Sequence, residues 1–185
     1  MTYPSWALER PLRTPTLQGK HVTLRPVCAE HSSVVTEACS VPDIARGFGL
    51  PSPATPEAGS AYVTMMMRMQ EAGITLPFMV YDHEEVAVGH AGLTLRDIGH
   101  GKATLGYWIL PDHRGRGYAS DALRTATEWL LSQEGVYRAT LHIETWNAPS
   151  AAVAESVGYV YEATLKRWEK IAGEPRDMMV YTRLR

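Results

Sequence analysis

The sequence predicts a mixed α/β protein with a largely antiparallel sheet, and three observations support this class. Apolar or alternating stretches that are typical of strands fill much of the chain after residue 75. Two amphipathic helical patterns, which begin near residues 118 and 148, interrupt those stretches. The chain has 185 residues, of which 45% are hydrophobic and 21% charged, as is typical of a globular domain. We therefore expect residues 1–185 to form a single domain.

The first third of the chain alternates irregular and regular segments. Residues 1–16 contain three prolines and predict an irregular N-terminal arm. Residues 21–27, HVTLRPV, alternate in polarity and predict a strand that ends at Pro26. Residues 29–40, AEHSSVVTEACS, predict a short helix, and residues 49–54 predict a loop.

A longer helix is predicted after this loop. Thr55 suits its N-cap, Pro56 suits its first position, and the pattern stops near Gly73. One face of this helix carries large apolar side chains, namely Tyr62, Met65, Met66 and Met69. Such a stripe is typical of a helix face that packs on a core, and a pliable substrate wall is the alternative.

The middle of the chain predicts three strands. Residues 76–82 and 86–95 read as a hairpin, and residues 102–110 as a strand after a glycine-rich turn. Gly89 and Gly92 lie inside one of these strands. Glycine within a strand indicates a bulge or the close approach of another backbone.

The last third predicts a helix, a strand, a second helix and a final hairpin. The first helix follows Gly117 and stops at Gly135, and its apolar stripe comprises Ala119, Ala122, Leu123, Ala126 and Leu130. A strand over 136–144 and a helix over 148–158 come next. The tail predicts two strands joined by a turn at residues 172–175.

Charge and composition exclude several classes of function. The net charge of −2 gives no overall attraction for nucleic acid or an anionic membrane. No apolar run approaches the about 20 residues of a membrane span, and the N-terminus does not resemble a signal peptide. Cys28 and Cys39 form no recognisable disulfide or metal pattern, so a cytoplasmic location is expected. The histidines show no metal-ligand spacing, and no metal site is predicted.

Residues 111–120, PDHRGRGYAS, join a strand to a helix and combine two glycines with two arginines. A dinucleotide site needs a third glycine where Ser120 stands, and a phosphate loop of the Walker type needs Gly-Lys-Ser/Thr. Two interpretations remain. The glycines serve only to turn the chain, or the bare amides at the helix N-terminus bind a diphosphate with help from the arginines.

The spacing Arg114-x-x-Gly117-x-Ala119 resembles the Arg/Gln-x-x-Gly-x-Gly/Ala signature of the GNAT superfamily of N-acetyltransferases. Residues 105–123 and 147–167 resemble the corresponding segments of its RimJ/RimL branch, and shorter stretches at both chain ends do too. The resemblance implies a GNAT fold, with a mostly antiparallel, splayed, seven-stranded sheet and about four flanking helices. It also implies acetyl-CoA as cosubstrate.

The resemblance further implies where acetyl-CoA binds. Its pantetheine arm would lie between two splayed strands and its diphosphate on the glycine turn, with a strand amide stabilising the oxyanion. The implied contacts are Trp108, Ile109, Leu110, Arg114, Gly115, Arg116, Gly117, Tyr118, Ala119, Ser120 and Asn147. Asn147 also suits a plain helix N-cap, and residues 105–110 also suit a plain buried strand.

The implied catalytic residues are fewer. Many GNAT enzymes carry a tyrosine acid where this chain has Ala154, so Ser150 becomes the expected proton donor to the leaving thiolate. Glu169 matches a proposed base that acts through water. Glu144 and His142 are the alternatives, and deprotonation by solvent is a further one.

The acceptor is expected to be a primary amine, either a protein N-terminus or a small molecule. Residues 28–75 and 165–178 would select it by family resemblance, and a cationic acceptor would favour an acidic entrance, with Glu84, Glu85, Glu162 and Glu169 available. A homodimer through the sheet edge or the final strands is common among such enzymes. A catalytically idle acyl-CoA-binding or interaction module on the same scaffold is the rival hypothesis.

Overall fold

A computed structural model describes residues 12–185, which form one eight-stranded sheet with helices on both faces. The strands are β1 (Leu17–Gln18), β2 (Thr23–Pro26), β3 (Thr75–Tyr81), β4 (Ala87–Thr94), β5 (Lys102–Ile109), β6 (Arg138–Glu144), β7 (Val160–Ile171) and β8 (Glu174–Leu184). The helices are α1 (Ser32–Cys39), α2 (Pro42–Phe48), α3 (Pro56–Glu71), α4 (Tyr118–Ser132) and α5 (Ala148–Ser156). The mixed class predicted from the sequence is confirmed.

The sheet order is β1-β2-β3-β4-β5-β6-β8-β7, and β5–β6 is its one parallel pair. The α4 helix connects those two strands, as a parallel crossover requires. Pairing between β5 and β6 stops at Leu105 and Leu141. However, β5 stays paired with β4 up to Ile109, and β6 stays paired with β8 up to Glu144. The two strands therefore separate toward their carboxyl ends and leave a gap between them.

Alternation along the strands builds a separate core on each face of the sheet. On β5, Leu105 and Ile109 pack with α4 and α5, whereas Trp108 packs with α1, α2 and α3. On β3, Phe78 belongs to the first core and Met79 to the second. We call these the α4–α5 face and the α1–α3 face. The gap between β5 and β6 is an opening in the sheet itself, so it borders both faces.

The structure contains two elements more than the sequence predicted. The α2 helix starts with Pro42 and ends before Gly49, whose φ is +59°. This pairing of proline and glycine is a helix signal in itself, so the sequence contained it. The two-residue strand β1 forms because the chain turns at Gly19 and pairs Leu17 with Leu24.

The predicted apolar face of the long helix does not act as a unit. In α3 the side chains facing the core are those of Val63 and Met66. Met65 is 43% exposed and, with Met69, lines a shallow groove of about 760 Å³ on the outer surface. Tyr62 packs at the margin of the core. The stripe is thus divided between core and solvent.

Two other expectations concern the start of β6 and the N-terminal arm. The strand predicted over 136–144 begins at Arg138, after a turn. Residues 12–16 have no regular structure, as expected, while residues 1–11 of the predicted arm lie outside the described residues. Within residues 12–185, no helix combines the length and apolarity that a bilayer crossing requires.

The predicted close backbone approach is confirmed at Gly89, whereas Gly92 faces a side chain of its own strand. A Cβ atom on Gly89 would lie 2.3 Å from the Trp108 carbonyl oxygen, and one on Gly92 would lie 2.8 Å from the His90 ring. The β3–β4 pairing also shifts register next to Gly89, between Val80 and Tyr81. Gly89 thus lets β4 and β5 approach closely beside the gap, and Gly92 leaves room for the His90 ring.

Candidate active site

The glycine turn between β5 and α4 requires its two glycines for backbone reasons. Gly115 has φ +75° and Gly117 has φ +80°, the left-handed region that other residues avoid. No atom lies within 4 Å of the Cβ position of either residue. The turn is therefore open to solvent, and a ligand can approach its main chain.

The first turn of α4 offers unpaired main-chain donors at this open turn. The amide of Asp121 donates back to the Gly117 carbonyl at 3.0 Å, which is the first bond of the helix. The amides of residues 118–120 precede it and can have no partner inside the helix. None of the described side chains caps this end of α4. Amides and helix dipole together make this end suitable for an anion.

The two arginines of the turn differ in their partners. The Arg114 Nε donates to the Ile109 carbonyl at 2.9 Å, and its Nη2 pairs with Asp43 at 2.8 Å. Within residues 12–185, Arg116 donates to the Asp112 carbonyl alone, at 3.1 Å. Arg114 thus joins the turn to β5 and α2, while Arg116 keeps most of its donors for solvent or a ligand.

The remaining predicted residues of the α4 end are mixed in exposure. Tyr118 is buried in the core of the α4–α5 face, whereas Ala119 lies at its margin. The Ser120 hydroxyl contacts the Ser156 hydroxyl at 3.2 Å and so joins α4 to the end of α5.

Along the gap, the β5 main chain points alternately toward β4 and toward β6. The Leu110 amide donates to the Val88 carbonyl at 2.9 Å, so Leu110 and Trp108 use their polar groups on the β4 side. Alternation then directs the amides of Tyr107 and Ile109 into the gap. The side chains of Trp108, Ile109 and Leu110 are all buried. This segment therefore presents main chain rather than side chain to the gap.

Ser150 lies at the edge of the gap, in the first turn of α5. The Asn147 side chain caps this helix, and its Oδ1 accepts from the Ser150 amide at 3.1 Å. The Ser150 hydroxyl contacts the Tyr107 hydroxyl of β5 at 3.1 Å. Burial raises the pKa of Tyr107, against a smaller lowering by the hydrogen bond with Ser150.

Tyr107 could not be predicted as a site residue from the sequence, because its contact with Ser150 joins positions 43 residues apart. Asp121, which is buried under the first turn of α4, was not predicted either. Its Oδ2 accepts from the amides of His21 and Val22 at 2.7 and 3.1 Å. Gly19 has no room for a side chain there, because a Cβ would lie 2.5 Å from this oxygen. Asp121 thus fixes the start of β2 against α4.

Glu144, at the end of β6, lies on the α1–α3 face and is already paired. Its Oε2 contacts the Arg46 Nη2 of α2 at 2.8 Å, and its side chain is 6% exposed. The Arg46 guanidinium also lies 5.8 Å from the centre of the Trp146 ring. This pair fixes α2 against the sheet next to the gap.

Glu169 lies on β7, exposed and opposite Arg176 of β8. A bulge precedes it, in which Asp177 accepts from the Arg167 amide and pairs with Lys166, both at 2.8 Å. The bulge brings Trp168 edge-on to His142, with ring centres 5.9 Å apart. Burial lowers the pKa of His142, and the nearby Glu169 carboxylate partly opposes this shift.

The predicted site residues therefore fall into two groups. The glycine turn, the end of β5, Asn147 and Ser150 meet on the α4–α5 side of the gap. Glu144, His142 and Glu169 lie on the α1–α3 side, and no described contact joins them to Ser150. Two of the glutamates expected at an acidic entrance are neutralised, Glu85 by Arg25 and Glu162 by Arg138.

Comparison with known proteins identifies the family of the chain. Residues 21–160 match the acetyltransferase (GNAT) domain family. The chain is 24% identical to the uncharacterised N-acetyltransferase p20 of Bacillus licheniformis over 173 residues, which covers 92% of this chain and 96% of that protein. It is 24% identical to the ribosomal-protein-serine acetyltransferase of Escherichia coli over 116 residues, or 63% of this chain and 64% of that protein.

A solved structure extends the comparison to the fold. RimJ of Mycobacterium smegmatis, in complex with CoA-disulfide, superposes with a TM-score of 0.77 at 21% identity, covering 94% of this chain and 88% of that one. The chain therefore belongs to the GNAT family of acetyltransferases. The resemblance to RimJ and RimL predicted from the sequence is confirmed in the fold.

Proposed function

We propose that this protein is an acetyl-CoA-dependent N-acetyltransferase that acetylates a primary amine by direct attack in a ternary complex. The observation that carries the proposal is the gap between β5 and β6, with open amides at one end and Ser150 at its edge. A cytoplasmic enzyme is proposed because both cysteines are free thiols.

Acetyl-CoA fits the α4–α5 side of the gap. The amides of residues 118–120 and the exposed Arg116 suit its diphosphate, because both present positive charge to an anion. The unpaired edge of β5 suits its pantetheine arm, which would bond to main-chain groups as an added strand does. The Ile109 amide then faces the thioester and stabilises charge on its oxygen.

Ser150 is the proposed proton donor. The amine nitrogen attacks the thioester carbonyl, the carbon–sulfur bond breaks, and Ser150 donates its hydroxyl proton to the departing sulfur. Solvent returns a proton to Ser150, and the amine loses one to the base or to water. Neither cysteine belongs to the site residues, so no thiol is available there for an acyl-enzyme.

Glu169 is the favoured base, acting through water on the α1–α3 side. Arg46 already engages the alternative, Glu144, in a half-buried ion pair. The Glu144 Oε2 is thus already occupied by the guanidinium, and the side chain is 6% exposed, which leaves little access for a water or an amine. Glu169 is exposed, near His142, and in the described contacts has no such cationic partner.

The acceptor is proposed to approach from the α1–α3 face. A groove of about 410 Å³ crosses the sheet there, lined in part by His142, Trp168 and Leu165. Charges of both signs border it, with Glu162 and Arg138 paired to each other. A protein N-terminus and a small-molecule amine both fit this open groove. A homodimer through β7, the exposed edge of the sheet, stays a prediction.

The rival is a catalytically idle module that binds acyl-CoA. A thiol-release assay with acetyl-CoA across amines and N-terminal peptides separates the two. The proposal expects release that depends on one class of amine. Binding of acetyl-CoA by calorimetry without release from any amine would favour the rival, and an acetylated protein formed from acetyl-CoA alone would contradict direct attack.

The assigned roles predict distinct kinetic defects. Ser150→Ala should lower kcat about 100-fold, the scale of one lost general acid. Glu169→Gln should also lower kcat about 100-fold, the scale of one lost general base, because the amine can then lose its proton only to solvent. Glu174→Gln, an exposed carboxylate on the same hairpin, is the matched control and should keep the wild-type kcat. Unchanged rates in both site variants would remove these roles.

A further inference from the structure

We propose that Tyr107 is a positioning residue that donates a hydrogen bond to the Ser150 hydroxyl and directs the Ser150 proton into the gap. This inference rests on the proposed role of Ser150 as proton donor. It concerns a residue on β5, where the strand has separated from β6.

The geometry singles out this contact. The two hydroxyl oxygens are 3.1 Å apart, within hydrogen-bond distance. Among the described residues, Tyr107 is the one hydrogen-bond partner of the Ser150 hydroxyl. The Tyr107 hydroxyl can alternatively donate to the Ser150 carbonyl, but at 3.4 Å this bond is longer than the one to the Ser150 hydroxyl.

The direction of the bond follows from counting hydrogens. Each hydroxyl has one hydrogen and can also accept. If Ser150 gives its hydrogen to the thioester sulfur, its oxygen must accept from Tyr107. Accepting this bond polarises the Ser150 hydroxyl and makes it a stronger donor. No proton has to move from Tyr107, so the tyrosine acts through Ser150.

The surroundings keep Tyr107 able to donate. Its ring packs against the core of the α4–α5 face. Burial raises the pKa of its hydroxyl, so the phenol stays protonated across the neutral range. A neutral phenol has a hydrogen to donate, whereas a phenolate can only accept.

A purely structural role for Tyr107 is the competing explanation, because the same bond joins α5 to the sheet. Tyr181 of β8 offers a matched control. It is buried, and its hydroxyl donates to the Glu155 carboxylate of the same helix at 3.1 Å. Tyr181→Phe therefore removes one bond between α5 and the sheet without touching Ser150.

The experiment compares Tyr107→Phe, Ser150→Ala, the double variant and Tyr181→Phe in the full chain, with an amine that the thiol-release assay identifies as an acceptor. We expect Tyr107→Phe to lower kcat about 10-fold while the KM for acetyl-CoA changes less than about 2-fold. In the Ser150→Ala background the tyrosine substitution should have no further effect, because residues acting as a unit are not additive. Tyr181→Phe should keep the wild-type kcat.

Each contrary result is informative. Three results overturn this inference and leave the proposed function standing. They are an equal kcat for wild type and Tyr107→Phe, the same loss of kcat from Tyr107→Phe with and without Ser150, and an equal loss of kcat in Tyr181→Phe. No turnover by the wild type with any amine overturns the proposed function and this inference with it. If Tyr107→Phe fails to fold, a variant with 3-fluorotyrosine at position 107 takes its place. The fluorinated phenol is a stronger hydrogen-bond donor, so it should change kcat only when Ser150 is present.

Discussion

The two faces of the sheet present different kinds of chemistry to the gap. On the α4–α5 face the free groups are mainly main-chain amides, those of the α4 end and of β5. On the α1–α3 face the polar groups are side chains, and several are paired with one another, as Arg46 is with Glu144. This difference is the basis of our proposal that the anionic cofactor binds on the first face and the amine approaches from the second.

The difference shows why one substrate could be inferred and the other could not. An amide-lined site depends on the local path of the backbone, which Gly115 and Gly117 fix within a few residues. The side-chain site depends on which distant segments meet, and Arg46 lies 98 residues from Glu144. The proposed diphosphate site could therefore be predicted from a short motif, whereas the residues of the proposed acceptor site come from distant parts of the chain.

The α1–α3 face should be the acid-sensitive one, because His90 is buried in it between Phe48 and Trp108. Burial lowers the pKa of His90 from 6.5 to about 4, despite a hydrogen bond to the Phe78 backbone. The unfolded chain takes up a proton below pH 6.5, but the folded one does not until near pH 4. The free energy of unfolding should then fall by about 3 kcal/mol over this interval.

Urea unfolding at several pH values measures this effect. His90→Gln should flatten the dependence between pH 6.5 and 4, since no buried imidazole remains to be protonated. His142→Gln removes a histidine that is only half-buried and should flatten it much less. Equal slopes for wild type and His90→Gln would show that acid acts on the fold elsewhere.

On the α4–α5 face, a negatively charged side chain at the glycine turn should weaken acetyl-CoA binding more than a neutral side chain of the same size does. Gly117→Asp places a carboxylate beside the open amides and should lower acetyl-CoA affinity about 100-fold, through repulsion of the diphosphate. Gly117→Asn has the same shape without charge, and asparagine tolerates positive φ. Gly117→Asn should lower acetyl-CoA affinity about 10-fold or less. Equal affinities for both variants by calorimetry would place the diphosphate elsewhere.

The smallest expected effect compares the helix caps of the two faces. Asn147 caps α5, and Thr55 caps α3 with its hydroxyl 3.2 Å from the Ala58 amide. Replacing either by alanine should cost about 1 kcal/mol of stability, the usual value of a cap. Only Asn147→Ala should also lower kcat, because its loss frees the turn that holds Ser150. Equal kcat in the two variants would make Asn147 a structural cap only.

Local signals accounted for much of the fold, and they also predicted the part of the proposed site that lies on the glycine turn and the first turn of α5. Thr55 and Pro56 start α3, and the strands of β3 to β6 follow from apolar alternation, because these features act within a few residues. The α2 helix was missed although Pro42 and Gly49 mark its ends. The methionine face of α3 was misjudged because periodicity shows a face but not what covers it.

The sequence by itself determined the family, the glycine turn and the Asn147 cap of the helix that carries Ser150. Turns and caps are set by residues that are neighbours along the chain. Only the tertiary structure decided that Tyr107 meets Ser150, that Arg46 engages Glu144, and that Asp121 holds β2. The physical reason is that side-chain pairing depends on how the sheet brings remote segments together. A bond between residues 43 or 98 positions apart leaves no local pattern in the chain.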